Sequence, residues 1–542
     1  MVFVENDIYF EIFHLKKGEE MKKLCSIIAI VLFSAASQPA NAGICGSCDC
    51  KAISHTFFTV RPQYQSGSPE KESLFYDRMN IREDGRGGGL QIALFGGRST
   101  YRDELGNFFS PFCQKSFYVR ETGKIPEGDQ NVDIVAQHFN IALADENIPF
   151  ESRISFCPRL TVFGLGLTYR QNLSQLWSDD EYRTHDVWVE LSTPITRVET
   201  NMCLSETILT EGERTPVEVP EIDKTFFSSI TEALKQNAWC YGKIDSCCEN
   251  AKWRLADLEI KGGLQRRLDK CCYGGYIGLL IPTGNRPCAT CVFEPIVGHN
   301  KHFGFTKGSF AKFEIWESDD SEWKIKSIWN WHSQYLFARE EKRSFDLKYK
   351  PWSRYMEVYS SKEQAQMAAD FDAQEKNEAA LFLSTPGINI FTQCMNVKPR
   401  FSTNVSSAFV FSGKKWSIEA GYNFYARSAE CIELCCWPDG IALKAETGSG
   451  RTNSARTINK NNVCLDKEIE NYESNIITKC DLDLESAAHP GMVSHTMYGS
   501  AGYRWDEKEY PMLIAFGGSY EYGDANFVLS RWTAWAKYTF SF

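Results

Sequence analysis

The most regular feature of this chain is an alternation of apolar and polar residues with a period of two. Residues 530–542, SRWTAWAKYTFSF, show it clearly. The even positions from Trp532 to Phe542 are all apolar, whereas the odd positions from Arg531 to Ser541 are mostly polar. Successive side chains of a β-strand point to opposite faces, so the pattern predicts a strand with one apolar and one polar face.

Twelve segments follow this pattern and are predicted to be strands. They are residues 89–97, 159–171, 186–197, 255–264, 272–281, 303–316, 322–338, 401–411, 416–427, 493–505, 512–522 and 530–542. Most are longer than the ~5–6 residues of an ordinary strand and match the ~9–11 residues of a tilted membrane strand. Val132 to Ile141 and Ile388 to Met395 are weaker candidates, which leaves 14 or 16 strands possible.

The connections between these segments alternate between long and short. All long connections fall at one end of the predicted up-and-down meander, as in outer-membrane barrels with short periplasmic turns and long outer loops. A soluble all-β protein with helical insertions would explain the alternation but not this asymmetry. The sequence therefore predicts an all-β fold, an antiparallel up-and-down transmembrane β-barrel of about 12 strands over residues 89–542. An even strand number places both termini in the periplasm.

Short helices are predicted within two of the long outer loops. Ser229 and Glu232 have the spacing of a capping box, and so do Ser361 and Gln364. In this motif the first side chain accepts a hydrogen bond from the backbone three residues later, which starts a helix.

The N-terminal region carries an export signal that begins at Met21. Residues 21–42 combine a basic start, an apolar run and the site Ala40-Asn41-Ala42, which is typical of a signal peptide. Residues 1–20 are then interpreted as a start-site artefact. Residues 43–88 precede the first strand and are expected to form a periplasmic N-terminal segment or a plug in the barrel lumen.

The C-terminal strand resembles the terminal signature of bacterial outer-membrane β-barrel proteins. The resemblance implies that its alternating aromatic residues are an assembly signal, read by the outer-membrane assembly machinery. The matching residues are Trp532, Tyr538, Phe540 and Phe542. The resemblance also implies a place in the outer membrane of a Gram-negative-type bacterium, with outer-membrane lipid as a partner. In cysteine content alone, the chain is loosely similar to the major outer-membrane porins of chlamydia-like intracellular bacteria.

The cysteine content favours disulfides in the outer loops. The chain has 20 cysteines, all but Cys25 after the apolar run of the signal, and exported proteins with many cysteines commonly form disulfides. Because the number of cysteines after the signal is odd, at least one thiol stays free or bonds to a second molecule, so a homo-oligomer is possible. A metal site at Cys288 and Cys291 lacks the following histidine pair. The disulfide candidates are Cys288, Cys291, Cys431, Cys435, Cys436, Cys464 and Cys480.

The polar faces of the strands predict which residues face the lumen. These residues are Asp257, Glu259, Lys261, Glu322, Lys324, Lys326, His332, Glu419, Arg427, Arg504, Glu521, Arg531 and Lys537. Because both signs of charge occur, we expect a hydrated interior without one strong field. Ion pairs between these residues could also narrow or close the channel through a barrel of about 12 strands.

These features predict a porin-like channel for passive diffusion of small solutes. The alternatives are a structural or adhesive surface barrel with disulfide-stapled loops, and a hydrophobic-ligand transporter plugged by residues 43–88. The net charge of −11 argues against a nucleic-acid partner. No G-x-S-x-G, H-E-x-x-H or P-loop motif is present, so neither an enzyme nor a cofactor is expected. His299 and His302 are interpreted as parts of a structured outer loop rather than as a binding site.

Overall fold

Twelve long strands form one closed barrel in the computed structural model, which describes residues 54–75, 87–120, 133–141, 150–174, 185–211, 218–219, 224–244, 251–348, 350–373, 383–443, 476–506, 509–523 and 528–542. The barrel strands are β1 (Gly88–Ser99), β2 (Arg159–Asn172), β3 (His185–Asn201), β4 (Leu258–Leu268), β5 (Cys271–Ile281), β6 (Gly304–Glu317), β7 (Lys324–Leu336), β8 (Arg400–Ser412), β9 (Trp416–Arg427), β10 (Met492–Trp505), β11 (Met512–Tyr522) and β12 (Arg531–Ser541). The strand Ala251–Leu255 continues β4 along β3 after an interruption at residues 256–257.

The barrel closes because β12 pairs with β1. Every barrel strand is antiparallel to its neighbours in the chain, and the last pairing aligns Gly89 with Ser541 and Ser99 with Arg531. Gly88 and Phe542 also exchange two backbone hydrogen bonds of 2.8 and 3.0 Å. A closed barrel leaves no unpaired strand edge in lipid. The prediction of an antiparallel barrel of about 12 strands is confirmed.

All long connections leave the same end of the barrel, which we therefore call the outer end. They contain a sheet of Phe117–Arg120, Asp133–Val135, Glu151–Ser155 and Ser205–Thr210, and a second sheet of Arg339–Ser344, Thr392–Lys398 and Cys431–Leu434. Short pairs join Glu218–Val219 to Lys224–Thr225, Asp346–Leu347 to Leu482–Asp483, and Glu357–Tyr359 to Ser384–Pro386. Both weaker strand candidates thus overlap loop strands that do not pair with the barrel, and the barrel keeps 12 strands.

The helices are short and lie mainly in the outer loops. The α-helices are Pro69–Glu72, Arg102–Phe109, Ile230–Ala233, Lys362–Ala373 and Gly387–Ile390, and the 3-10 helices are Pro111–Cys113, Ala136–Phe139, Ser353–Tyr355, Lys479–Asp481 and Leu484–Ala487. Both predicted capping contacts are present: the Glu232 amide donates to Ser229 Oγ at 3.3 Å, and the Gln364 amide donates to Ser361 Oγ at 3.2 Å. Within the described ranges, no helix has the length and apolar character needed to cross a bilayer.

The two faces of each strand differ as the alternation predicts. Large apolar side chains such as Phe163, Phe409 and Phe516 point outward and are about half exposed or more, whereas the inward neighbours are buried and mostly polar. This is the arrangement of a membrane barrel, with lipid outside and polar groups inside. The largest apolar cluster, which includes Phe58, Phe108 and Phe293, contains many outer-loop residues.

Candidate functional site

The barrel lumen is occupied by residues 54–75, which we call the lumen segment. It begins among the outer loops, where Ser54 is buried, and it reaches the periplasmic half, where the Leu74 amide donates to Glu419 Oε2 at 2.6 Å. Lys537 Nζ of the wall donates to the Ser73 carbonyl at 2.7 Å. A barrel of about eight strands is already filled by its own side chains, so 12 strands leave room for an additional stretch of chain.

Lys71 of the lumen segment lies at the centre of a buried charge cluster. Its Nζ is 3.3 Å from both Glu190 Oε1 and Glu259 Oε2. Lys261 Nζ is 2.7 Å from the same Glu190 oxygen, and Arg170 Nε is 3.9 Å from Glu190 Oε2. Buried charges are costly unless they are paired, so the segment and the wall complete each other electrostatically.

A second cluster centres on Arg61 nearer the outer end. Arg61 Nη1 is 3.0 Å from Glu521 Oε1, and its Nη2 donates to Asn404 Oδ1 at 2.6 Å and Asn423 Oδ1 at 3.0 Å. Arg531 Nε donates to the other Glu521 oxygen at 2.8 Å, and Arg531 Nη1 donates to the Arg61 carbonyl at 2.9 Å. One wall carboxylate therefore binds one arginine of the segment and one of the wall.

A glycine of the wall admits the ring of Tyr64. A Cβ atom on Gly166 would lie 2.4 Å from the Tyr64 ring, which is closer than a side chain allows. The ring stacks on Phe95 with centroids 5.7 Å apart, and the Tyr64 hydroxyl is 3.1 Å from Thr168 Oγ1. The segment therefore fits the wall in shape as well as in charge.

Acidic residues of the outer loops bind the start of the lumen segment. Ser54 Oγ donates to Asp346 Oδ2 at 2.8 Å, and Arg354 Nη1 donates to the same oxygen at 2.7 Å. Asp483 stands directly opposite Asp346 in a two-stranded pairing. Burial, together with the Asp346 carboxylate, raises the pKa of Asp483 to about 7.

A second outer-loop carboxylate, Glu430, also contacts the segment. Thr59 Oγ1 donates to Glu430 Oε1 at 3.1 Å, and Arg427 and Arg343 bind Glu430 at 2.6 and 3.2 Å. Burial opposes ionisation of Glu430, but the two arginines outweigh it and hold its pKa well below the usual range. Burial and nearby Arg427 lower the pKa of His489 to about 3, so this neighbouring ring is neutral.

The structure separates the predicted lumen residues into four groups. Glu259, Lys261, His332, Glu419, Glu521, Arg531 and Lys537 are buried in the lumen, and Asp257 and Arg427 are buried at its outer mouth. Lys324, Lys326 and Arg504 lie near the periplasmic end and are partly buried. Glu322 is not lumenal, because β7 begins only at Lys324; it lies in the preceding periplasmic turn, where it pairs with Lys414.

Four charged residues of the lumen clusters were missed by the sequence analysis. Arg170 and Glu190 lie on the buried, inward positions of β2 and β3, so the alternation could have identified them. Arg61 and Lys71 lie in a segment without periodic pattern, and no sequence signal marks their partners. The wall residues were therefore recognisable, whereas the residues that fill the lumen were not.

His299 and His302 each contact a buried carboxylate. His299 Nδ1 is 2.6 Å from Asp257 Oδ2, and His302 Nε2 is 2.6 Å from Glu341 Oε1. His299 Nε2 also lies 3.1 Å from Gln65 Oε1 of the lumen segment. These contacts give both histidines a structural role at the outer mouth.

Most of the predicted disulfide candidates that the structure describes are not bonded. Cys288, Cys431, Cys435, Cys436 and Cys480 carry free thiols, whereas Cys291 is disulfide-bonded. Strand register explains one case, since Cys431 stands opposite Lys398. Cys464 lies outside the described residues, as do the predicted start-site artefact and signal peptide, residues 1–42.

The C-terminal aromatic residues line the outside of the seam that closes the barrel. Trp532 and Tyr538 are exposed on the lipid face, and the ring of Phe542 stacks on Tyr169 of β2 and packs at a tilt against Phe540. Their role as an assembly signal stays a prediction.

Closure, an apolar outer face, a polar interior and long loops at one end together define an outer-membrane β-barrel protein of the Gram-negative type. No protein-family model and no curated protein matches the chain.

Solved structures with a similar arrangement are outer-membrane barrels. They include an outer membrane channel from Pseudomonas putida F1 (8% identity, 84% of this chain and 96% of that chain, TM-score 0.36). The transport unit of the autotransporter AIDA-I from Escherichia coli is another (6% identity, 87% of this chain and 94% of that chain, TM-score 0.30). A third is a FadL homologue from Pseudomonas aeruginosa (7% identity, 88% of this chain and 94% of that chain, TM-score 0.26). At these scores they add no argument about function, and they do not support the resemblance to chlamydial porins.

Proposed function

We propose that this protein is a gated outer-membrane channel for small hydrophilic solutes, closed at rest by its lumen segment. The observation that carries the proposal is the charge pairing of Arg61 and Lys71 with three carboxylates of the barrel wall. A segment held in the lumen by polar contacts closes the path, so free diffusion through a permanently open porin is not favoured.

The character of the lumen wall supports an opening transition. Many of the inward groups that contact the segment are carboxylates, ammonium groups, amides and hydroxyls, and water can replace these hydrogen bonds once the segment moves. Tyr64 and Leu74 pack instead against apolar wall residues such as Phe95 and Leu513. An open lumen with this lining would be hydrated, which favours hydrophilic solutes. A hydrophobic-ligand transporter would instead use a mainly apolar lining.

The second candidate is a structural surface barrel that never opens. The extent of the buried network favours it, because Arg61, Tyr64, Lys71 and Ser73 all make hydrogen bonds inside the barrel. For either candidate we propose no catalytic role, and we propose outer-membrane lipid and the assembly machinery as partners. A homo-oligomer stays a prediction.

Single-channel recording in planar bilayers tests the gated channel. We expect rare openings of the full-length protein and a stable, larger conductance after deletion of residues 54–75. Folding of the deletion variant is checked by its heat-modifiable mobility on gels. A folded deletion variant that never conducts would favour the structural barrel instead.

A cysteine lock provides a second test without a deletion. The side-chain tips of Gln63 in the segment and Thr533 in the wall are 2.8 Å apart. Because cysteine is shorter than glutamine, the thiols of Gln63→Cys with Thr533→Cys are bridged by a short bis-thiosulfonate reagent, which forms disulfides that a reductant cleaves. We expect the bridged variant to stay closed and to recover its openings after reduction. The wild-type protein with the same reductant is the control, since it carries native cysteines. Equal conductance of the locked and reduced variant would show that solute passes without movement of the segment.

A further inference from the structure

Two free thiols of the outer loops lie on the same exposed face of one sheet. Cys394 is on the strand Thr392–Lys398 and Cys435 follows the strand Cys431–Leu434, and both cysteines are exposed. The two strands are antiparallel neighbours, and their pairing begins with Met395 opposite Leu434. Extended by one residue beyond the paired strands, this register places Cys394 opposite Cys435.

The side chains around this pair confirm which face it occupies. Met395 and Val397 are fully buried, whereas Asn396 and Lys398 alternate with them and contact Glu433 across the sheet. Cys394 has the same parity as Asn396 and Lys398, so it lies on the solvent face. Cys435 has the parity of Glu433 and lies on that face too.

The distance between opposite residues of antiparallel strands suits a disulfide. Their Cα atoms are ~4.5–5.5 Å apart, within the ~4.4–6.8 Å that a disulfide spans. Lys342 stands opposite Cys394 on the third strand of the sheet, and its ammonium group interacts electrostatically with the Cys394 and Cys288 thiols.

We propose that Cys394 and Cys435 form a reversible disulfide, and that the two free thiols are its reduced state. The oxidant is a disulfide compound such as oxidised glutathione. The Cys394 thiolate attacks one of its sulfurs, releases one glutathione thiol and forms a mixed disulfide. Cys435 then attacks the Cys394 sulfur and releases the second glutathione thiol. Two protein thiols become one disulfide, and one oxidised glutathione becomes two reduced molecules.

The position of this bond gives it a structural effect. The strand Thr392–Lys398 leads into β8 at Arg400, and β9 ends at Arg427, shortly before Cys431. The disulfide would therefore join the two outer extensions of the β8–β9 hairpin. This inference is independent of the proposed function, because it concerns the loops and not the lumen.

Peptide mass spectrometry of the full-length protein in detergent tests the proposal. After incubation with oxidised glutathione and alkylation of the remaining thiols, we expect a peptide pair linked through Cys394 and Cys435 that disappears on reduction. Cys394→Ser and Cys435→Ser should abolish this pair. Cys436→Ser is the matched control, because it removes an equally exposed neighbouring thiol of opposite parity, and it should leave the yield unchanged. Linkage of Cys394 to Cys436 or Cys288, or no linkage at all, would overturn the proposal.

Discussion

Glu521→Gln should raise the open probability of the barrel at least as much as Arg61→Met, although both substitutions break the same ion pair. Glu521 is shared, since Arg61 and Arg531 bind its two oxygens at 3.0 and 2.8 Å. All three side chains are at least nine-tenths buried. Glutamine keeps the shape of glutamate but leaves two guanidinium charges without this carboxylate.

The expected magnitudes follow from burial. Removing one partner of a buried pair costs about 3–5 kcal/mol, which here falls on the closed state with the segment in place. At about 1.4 kcal/mol for each tenfold change, Glu521→Gln should raise the open-to-closed ratio by roughly 10² to a few times 10³. Arg61→Met leaves Glu521 paired with Arg531 and with Ser494, so losing the bond to Glu521 costs about 1.5–3 kcal/mol. That loss gives a rise of roughly ten- to a hundredfold, to which the lost bonds to Asn404 and Asn423 add.

Single-channel open probability measures both effects. Glu322→Gln is the matched control, because Glu322 pairs with Lys414 in exposed periplasmic turns and such surface pairs contribute about 0–1 kcal/mol. It should leave the open probability unchanged. A larger effect of Arg61→Met than of Glu521→Gln, or none from Glu521→Gln, would refute the argument that buried charge holds the segment in place.

Two further predictions concern shape and pH. Gly166→Ala should raise the open probability, because the added Cβ would displace the ring of Tyr64. Gly262→Ala is the control: its added Cβ would meet no atom within 4 Å, so the open probability should stay unchanged. The pKa of Asp483 in the folded protein is about 7, which exceeds the ordinary value of 3.8, so folding favours the protonated carboxyl group. The resulting stabilisation of the folded state is full below about pH 4 and is lost as the pH rises through about 7. We expect the wild-type unfolding temperature to fall between pH 4 and pH 7, where the free energy of unfolding decreases by at most about 4 kcal/mol, and we expect Asp483→Asn to flatten that fall. An unchanged slope in the variant would exclude Asp483 as the titrating group.

The barrel was predictable because its pattern is local. The predicted segment 322–338 became β7, Lys324–Leu336, and the predicted segment 530–542 became β12, Arg531–Ser541. The length of β3 was underestimated, because the strand extends to Asn201 through polar residues such as Glu199, which interrupt its apolar face. Alternation thus identifies a strand best where one of its faces meets lipid.

The contents of the lumen were not predictable in the same way. Arg61 and Glu521 are 460 positions apart in the chain, and Lys71 and Glu259 are 188 apart. Nothing in the local sequence around Arg61 indicates its partner, because the pairing depends on how the closed barrel brings distant strands together. Charge complementarity of this kind requires three-dimensional information.

The path of the lumen segment also sets the direction in which it can leave. Leu74 lies near the periplasmic end of the lumen, and the chain continues into β1, which starts at the periplasmic rim. The segment is therefore joined along the chain to the barrel wall at that rim. In the channel that we propose, this attachment favours retraction of the segment towards the periplasm over its release to the outside.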